Sequence, residues 1–164
     1  MNKSKHKPAI ITAVLGLPLR QEANNSYSFL LTRRNAPHSP KFHNKWQLAG
    51  GALEFGEKPE ETLVREMKEE LGVTPKILHP QPIVNTSVWI GGDDDTSHDV
   101  QIILISYIVG IGSQQPSLDH DPHKETNKFG WFSLQLALQL DFLPNSKSIV
   151  TTAHKLATSG IIKP

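Results

Sequence analysis

The hydrophobic and polar positions along the chain follow two different periods, one typical of strands and one typical of helices. Stretches rich in β-branched and apolar residues predict strands at 9–17, 27–33, 77–79, 83–90, 99–109 and 128–132. Apolar residues three and four positions apart predict a helix over 59–71, and further helices are expected at 134–140 and 147–158. Mixed strands with helices before and after them indicate a layered α/β sandwich.

The strand over 99–109 is apolar on both of its faces. One face is formed by Ile103, Ile105 and Tyr107, and the other by Ile102, Leu104 and Ile108. We therefore expect a central strand that is covered from both sides. Polar segments separate the predicted elements, as turns at 21–26 and 91–95 and as loops at 35–45 and 112–127. The last of these is long for a small domain, and such loops are often functional.

The helix over 59–71 has a well-defined start, end and buried side. Pro59 suits the first turn, where its missing N–H has no helical partner, and Gly72 suits a left-handed end. Glu60 and Glu61 complement the positive end of the helix dipole. The side predicted to face the core consists of Leu63, Val64, Met67 and Leu71.

Another side of this helix carries three carboxylates, at Glu66, Glu69 and Glu70. Like-charged pairs at this spacing cost about 0.2–0.5 kcal/mol each. A divalent cation would turn that repulsion into attraction, and oxygen ligands favour Mg²⁺, with Mn²⁺ as a substitute. Because Mg²⁺ in proteins commonly also binds substrate phosphates, we expect a phosphate-bearing substrate. Taken alone, however, such a cluster is more typical of a solvated acidic helix face.

Length, net charge and cysteine content exclude several classes of protein. A length of 164 residues fits a single domain over 1–164. The formal charge of +1 provides no field that would favour nucleic acid or a membrane, and no segment approaches the length of a membrane span. The chain has no cysteine, which excludes disulfides, cysteine zinc sites and thiol catalysis and is consistent with a reducing cytoplasm, where we expect the protein.

The surroundings of the acidic cluster change its interpretation. Residues 51–73 match the pattern G-x5-E-x7-R-E-U-x-E-E-x-G-U, with U a bulky aliphatic residue, at every specified position. A chance match is on the order of 10⁻⁷ for a chain of ordinary composition. The chain therefore resembles the Nudix hydrolase superfamily. Looser similarity to the MutT-like nucleoside triphosphate pyrophosphohydrolase branch includes Thr32-Arg33-Arg34, Asn44-Lys45, Lys124-Glu125 and Trp131.

The resemblance implies a fold and a set of site residues. The fold would be an α/β/α sandwich with a mixed, mostly antiparallel curved sheet between helices. The metal ligands would be Glu66, Glu69, Glu70 and the backbone carbonyl of Gly50, with Glu57 binding through water or holding the helix in place. Arg65 would orient Glu57 and the neighbouring carboxylates. Glu125 is the candidate base, although its interpretation as an ordinary loop carboxylate is equally favoured. Glu66 or Glu69 are the alternatives for the base.

Substrate contacts are predicted more loosely. Arg33 and Arg34 would meet phosphate or base, or else they are solvated at the end of a strand. Trp46 and Leu48 would flank a nucleobase, although a tryptophan here is equally typical of a core. Asn85 occupies a position where some relatives have a polar residue in the pocket, but an ordinary edge-strand asparagine is the simpler interpretation.

These residues together predict an Mg²⁺-dependent hydrolase that cleaves the pyrophosphate bond of a nucleoside polyphosphate, with a (d)NTP preferred. ADP-ribose, a dinucleotide or a sugar nucleotide are alternative substrates, because the motif concerns only metal and diphosphate. A non-catalytic module that senses nucleotides is the alternative from another class. The expected partner is a small-molecule nucleotide, with neither nucleic acid nor membrane, and a homodimer is left open.

Overall fold

The computed structural model describes residues 8–90 and 99–164, so the predicted turn at 91–95 lies outside the described residues. Within these ranges the elements are β1 (Ala9–Gln21), β2 (Tyr27–Arg34), β3 (Trp46–Gln47), β4 (Ala49–Ala52), α1 (Pro59–Leu71), β5 (Lys76–Ile77), β6 (Ile83–Trp89), β7 (Val100–Gly110), β8 (Thr126–Ser133), α2 (Leu134–Ala137) and α3 (Ser146–Thr158). None of the helices in these ranges combines the length and apolar character that crossing a membrane requires.

Strand β1 organises the sheet because it has partners along both edges. It runs parallel to β7 from the pair Ala9↔Val100 to the pair Pro18↔Val109. Its other edge pairs antiparallel with β4 at residues 13–16 and with β2 at residues 19–21. The remaining pairings, β2 with β3 and β8 and β7 with β5 and β6, are also antiparallel. The sheet is therefore mixed and mostly antiparallel, as expected.

Helices cover both faces of this sheet, and the alternation of side chains along each strand supplies both cores. In β2, Leu30 packs with the core under α1, whereas Phe29 and Leu31 pack with the core under α3. The α1 side is closed by Leu63, Met67 and Leu71, and the α3 side by Ile149, Val150, Ala153 and Ala157. The molecule is thus an α/β/α sandwich, which confirms the predicted fold class.

Gly16 of β1 lets α1 approach the sheet closely. A Cβ atom at this position would lie 2.7 Å from the Sδ atom of Met67, which is fully buried. The position of α1 over β1 matters for the site, because the acidic side of α1 is thereby placed beside β4.

Several predicted elements differ from the structure: α2 ends at Ala137 rather than residue 140, and β5 and β8 have shifted or extended bounds. For β1 and β7 the difference has a tertiary reason. Strand β1 extends to Gln21, beyond the predicted end at residue 17, because its second half gains β2 as a partner. Strand β7 is buried on both faces only near Tyr107 and Ile108. Its first half is open on one side, where Ile102 and Leu104 line a cleft.

Candidate active site

Helix α1 begins and ends as its sequence predicts, and this sets the direction of its acidic side. The Lys58 amide donates to the Glu61 carboxylate at 2.8 Å, and Gly72 ends the helix with a φ of 68°. With the apolar side against the sheet, the acidic side faces a small pocket near the end of the long loop. Its lining is formed by Gln47, Gly50, Glu66, Glu69, Glu70, Asp121, Pro122, His123 and Glu125.

Glu70 is the buried carboxylate of this group, with 8% of its surface exposed. Its Oε2 atom accepts a hydrogen bond from the Gly50 amide at 2.9 Å, and its Oε1 atom accepts one from the Thr126 hydroxyl. Burial raises the pKa of Glu70 to about 7, although the hydrogen bonds from Thr126 and Gly50 act in the opposite direction. The carboxylate is therefore oriented by two donors but poorly solvated. A cation bound beside it would stabilise its charged form.

Arg65 forms hydrogen bonds or ion pairs with three glutamates. Its Nε and Nη2 atoms donate to the two carboxylate oxygens of Glu57 at 2.8 and 2.9 Å, and its Nη1 atom donates to Glu66 at 2.6 Å. The same Nη1 atom lies 3.6 Å from the Glu69 carboxylate. Hydrogen bonds from Arg65 and then from Thr62 lower the pKa of Glu57 to about 2. Arg65 thus contacts Glu57, Glu66 and Glu69, and it keeps Glu57 ionised.

Two glycines of β4 allow the pocket to form. Gly50 has a φ of 142°, and a Cβ atom there would lie 2.2 Å from the Val14 carbonyl oxygen. At Gly51, a Cβ atom would lie 2.6 Å from the Oε1 atom of Glu66. Neither position has room for a side chain between β1 and the carboxylates.

Most donors around this pocket are carboxylate, amide and backbone oxygens, with the His123 imidazole as the one nitrogen ligand and no thiol or thioether among the lining residues. This predominance of oxygen suits a hard divalent cation. Within residues 8–90 and 99–164, no three acidic or histidine side chains are grouped tightly enough to hold a metal ion in their present rotamers. Binding of an ion by three of these side chains would therefore require some of them to rotate.

A second, larger cleft of about 370 Å³ continues from the acidic pocket, and the two share Gln47, Gly50 and Glu125. One side of it is an apolar sheet surface, formed by Ile11, Ala13 and Leu15 of β1 and Ile102 and Leu104 of β7. Arg34 and Leu48, two of the predicted substrate residues, line this cleft together with Glu125.

Trp46 and Arg33 do not line either cavity, in contrast to the sequence-based expectation. Trp46 is 9% exposed, and its ring packs edge-on against Phe132 at 4.8 Å in the core. The Nε atom of Arg33 donates to the Asn127 side chain at 2.8 Å. Arg33 and Trp46 are partners across β2 and β3, so both point away from the side on which Arg34 and Gln47 lie.

Asn85 also differs in position from the prediction. It does not line the cleft, but it lies on the same face of β6 as Ser87 and Trp89, which do. The Oδ1 atom of Asn85 is buried without a hydrogen-bond partner among the described residues.

Sequence reasoning missed Trp89, which is the tryptophan of the cleft. Its ring is held edge-on by Phe42 at 4.9 Å, and its Nε1 atom is buried without an acceptor in the described part of the chain. The period-two pattern of β6 pairs Trp89 with Ser87 and Asn85 on one face, but only the fold shows that this face borders the cleft. Thr126 and Asp121 were missed as well, since neither belongs to a motif.

Known proteins resemble this chain in both sequence and fold. The RNA pyrophosphohydrolase of Acinetobacter baylyi is 46% identical over 29% of this chain and 28% of its own length. The 8-oxo-dGTP diphosphatase of Escherichia coli is 42% identical over 32% of this chain and 40% of its own. The ADP-ribose pyrophosphatase of Methanocaldococcus jannaschii is 33% identical over 49% and 43%. The chain thus spans less than half the length of each of these relatives.

Solved structures extend the similarity over nearly the whole chain. The MutT NUDIX hydrolase of Burkholderia pseudomallei has a TM-score of 0.64 and 19% identity, covering 89% of this chain and 98% of that one. The model of the NUDIX domain family matches residues 11–153, from β1 into α3 and including both cavities. This chain therefore belongs to the NUDIX domain family.

Proposed function

We propose that the protein is an Mg²⁺-dependent hydrolase that cleaves the pyrophosphate bond of a nucleoside polyphosphate, with a (d)NTP converted to the monophosphate and pyrophosphate. The observation that supports this function is the continuity of two cavities. Carboxylates suited to a divalent cation line one cavity, an apolar sheet surface lines the other, and Gln47, Gly50 and Glu125 belong to both. A nucleotide has the matching polarity, with phosphates at one end and a flat base at the other.

Several residues would hold the metal and the phosphates. Glu66, Glu69, Glu70 and the Gly50 carbonyl would bind Mg²⁺, with Glu57 acting through water or through Arg65. When bound, Mg²⁺ supplies neutralisation of the phosphate oxygens and a lower pKa for the attacking water. Arg34 is the basic side chain that lines the nucleotide cleft within residues 8–90 and 99–164, and it would pair with a phosphate.

Glu125 would take the proton of the attacking water. It is exposed at the junction of the two cavities, and the backbone around it is fixed because its carbonyl accepts a hydrogen bond from the Asn35 amide at 2.6 Å. Proton transfer to its carboxylate would accompany attack of water on phosphorus and departure of pyrophosphate. Glu66 and Glu69 are the alternatives for this step.

The substrate is best determined by comparing kcat/KM for (d)NTPs, ADP-ribose, dinucleoside polyphosphates and sugar nucleotides in the presence of Mg²⁺. The three curated relatives have names that refer to three different substrates, so the comparison must include all classes. We expect the highest kcat/KM for a (d)NTP, with monophosphate and pyrophosphate as products. Binding of nucleotides without turnover of any of them would contradict a hydrolase and favour a sensing module.

Trp89→Ala tests the assignment of the apolar cleft to the nucleobase. Loss of an aromatic stacking surface weakens base binding by about 1–3 kcal/mol, so we expect KM for the preferred nucleotide to rise about 5- to 150-fold. Mg²⁺ affinity should stay unchanged, because Trp89 lies outside the acidic pocket. Trp46→Phe is the matched control and should leave KM near the wild-type value, since Trp46 lies in the core. An unchanged KM in Trp89→Ala would contradict the assignment of this cleft to the nucleobase.

A further inference from the structure

The hydroxyl of Thr126 reaches the buried carboxylate of α1 from a distant part of the chain. Thr126 is the first residue of β8 and is 5% exposed, and its Oγ1 atom donates to the Oε1 atom of Glu70. The two residues are 56 positions apart in sequence. Because both are buried, this hydrogen bond is sheltered from competing water.

Asp121 holds Thr126 in place through its backbone. The Oδ2 atom of Asp121 accepts a hydrogen bond from the Thr126 amide at 3.0 Å, and its Oδ1 atom accepts one from the His123 amide at 3.0 Å. On the other side, Thr126 pairs with Arg34 across β2 and β8. The hydroxyl is therefore presented by a backbone that is fixed at both ends of the turn, rather than by a free loop.

The Thr126 hydroxyl and the Gly50 amide divide the carboxylate of Glu70 between them, with one donor on each oxygen. A carboxylate oxygen accepts in two directions, so each oxygen keeps capacity for one further partner. The two donors thus fix the orientation of a carboxylate that lines the acidic pocket. A donor of this kind commonly sets the orientation of a metal ligand.

From this geometry we propose that Thr126 is a positioning residue that orients Glu70 for binding of a divalent cation, with Asp121 holding Thr126 in register. The inference rests on the proposed function, in which Glu70 is a metal ligand. It assigns to the start of β8 a role in metal affinity that is separate from the role of Glu125, the preceding residue.

The test measures the binding of Mn²⁺ to the full-length protein by electron paramagnetic resonance, together with Tm. Thr126→Val keeps the shape of the side chain but removes the donor, and we expect Mn²⁺ to bind about 10- to 100-fold more weakly. Thr126→Ser retains the hydroxyl and should restore the affinity to near the wild-type value. Ser106→Ala is the control, since it removes a buried hydroxyl of β7 that has no partner among the described residues.

Glu70→Gln separates failure of this inference from failure of the proposed function. If Thr126→Val binds Mn²⁺ like the wild type while Glu70→Gln does not, Thr126 has no positioning role and the metal assignment stands. If both variants bind Mn²⁺ like the wild type, Glu70 is not a ligand and the proposed metal site is wrong. Should Thr126→Val fail to fold, Thr126→Ala provides the same comparison, and equal Mn²⁺ affinity in Thr126→Ala and Thr126→Ser would overturn the inference.

Discussion

Glu70→Gln is expected to lower Mg²⁺-dependent kcat by about 10²- to 10³-fold, because the charge stabilisation that a metal ion provides amounts to several kcal/mol and each 1.4 kcal/mol is a factor of ten. Glutamine has nearly the same shape, and its neutral amide avoids the cost of burying a charged group, which raises the pKa of Glu70 to about 7. The fold should therefore persist, with Tm at or above the wild-type value. Steady-state kinetics at saturating nucleotide and an Mg²⁺ titration would measure the change.

Glu125→Gln is the matched comparison for Glu70→Gln. It removes one negative charge from the same pocket, but at an exposed side chain that is assigned as the base rather than as a ligand. We expect a lower kcat with unchanged Mg²⁺ affinity, whereas Glu70→Gln should lose affinity. A wild-type kcat in Glu70→Gln would show that Glu70 is not a metal ligand.

Gly50→Ala is expected to destabilise the protein by roughly 2–6 kcal/mol, through backbone strain of about 1–3 kcal/mol and a steric clash of similar size. The new Cβ atom would lie 2.2 Å from the Val14 carbonyl oxygen and 2.8 Å from the Leu15 Cα atom, and neither backbone atom can move without separating β4 from β1. The Gly50 amide would also leave Glu70, so metal affinity should fall. Urea unfolding and Mn²⁺ binding measure the two effects.

Gly56→Ala is the matched control for this substitution. Gly56 also has a positive φ, of 90°, but a Cβ atom there would meet nothing within 4 Å. Its replacement should cost only the strain of about 1–3 kcal/mol and leave metal affinity unchanged. Equal losses of stability in the two variants would show that the contact between β4 and β1 is less tight than the structure indicates.

Agreement between sequence and structure is best where a feature depends on neighbours a few residues away. The bounds of α1 were predicted at residues 59 and 71, because Pro59, the Gly72 end and the apolar spacing all act within the helix. The acidic side followed from the same geometry. The residues outside the 51–73 pattern were placed less well, because the prediction for Trp46 and Arg33 required knowing which way two paired strands face.

Strand β6 shows what the sequence of a strand can and cannot predict. Sequence alternation shows which residues of β6 share a face, but it cannot show what that face meets. Because β6 pairs with β7 and β7 with β1, the face that carries Ser87 and Trp89 becomes part of the larger cleft. Trp46, in contrast, lies in the core, because its pairing with Arg33 turns its ring toward Phe132.

The sequence by itself determined the helix, its set of glutamates and the family to which they belong, because a helix period and a motif are properties of short stretches of chain. Only the tertiary structure decided that Thr126 meets Glu70, that Trp89 rather than Trp46 borders the cleft, and that Arg34 rather than Arg33 lines the same cleft as Glu125. These contacts join strands far apart in sequence, and their positions depend on how the two layers of helices pack the sheet between them.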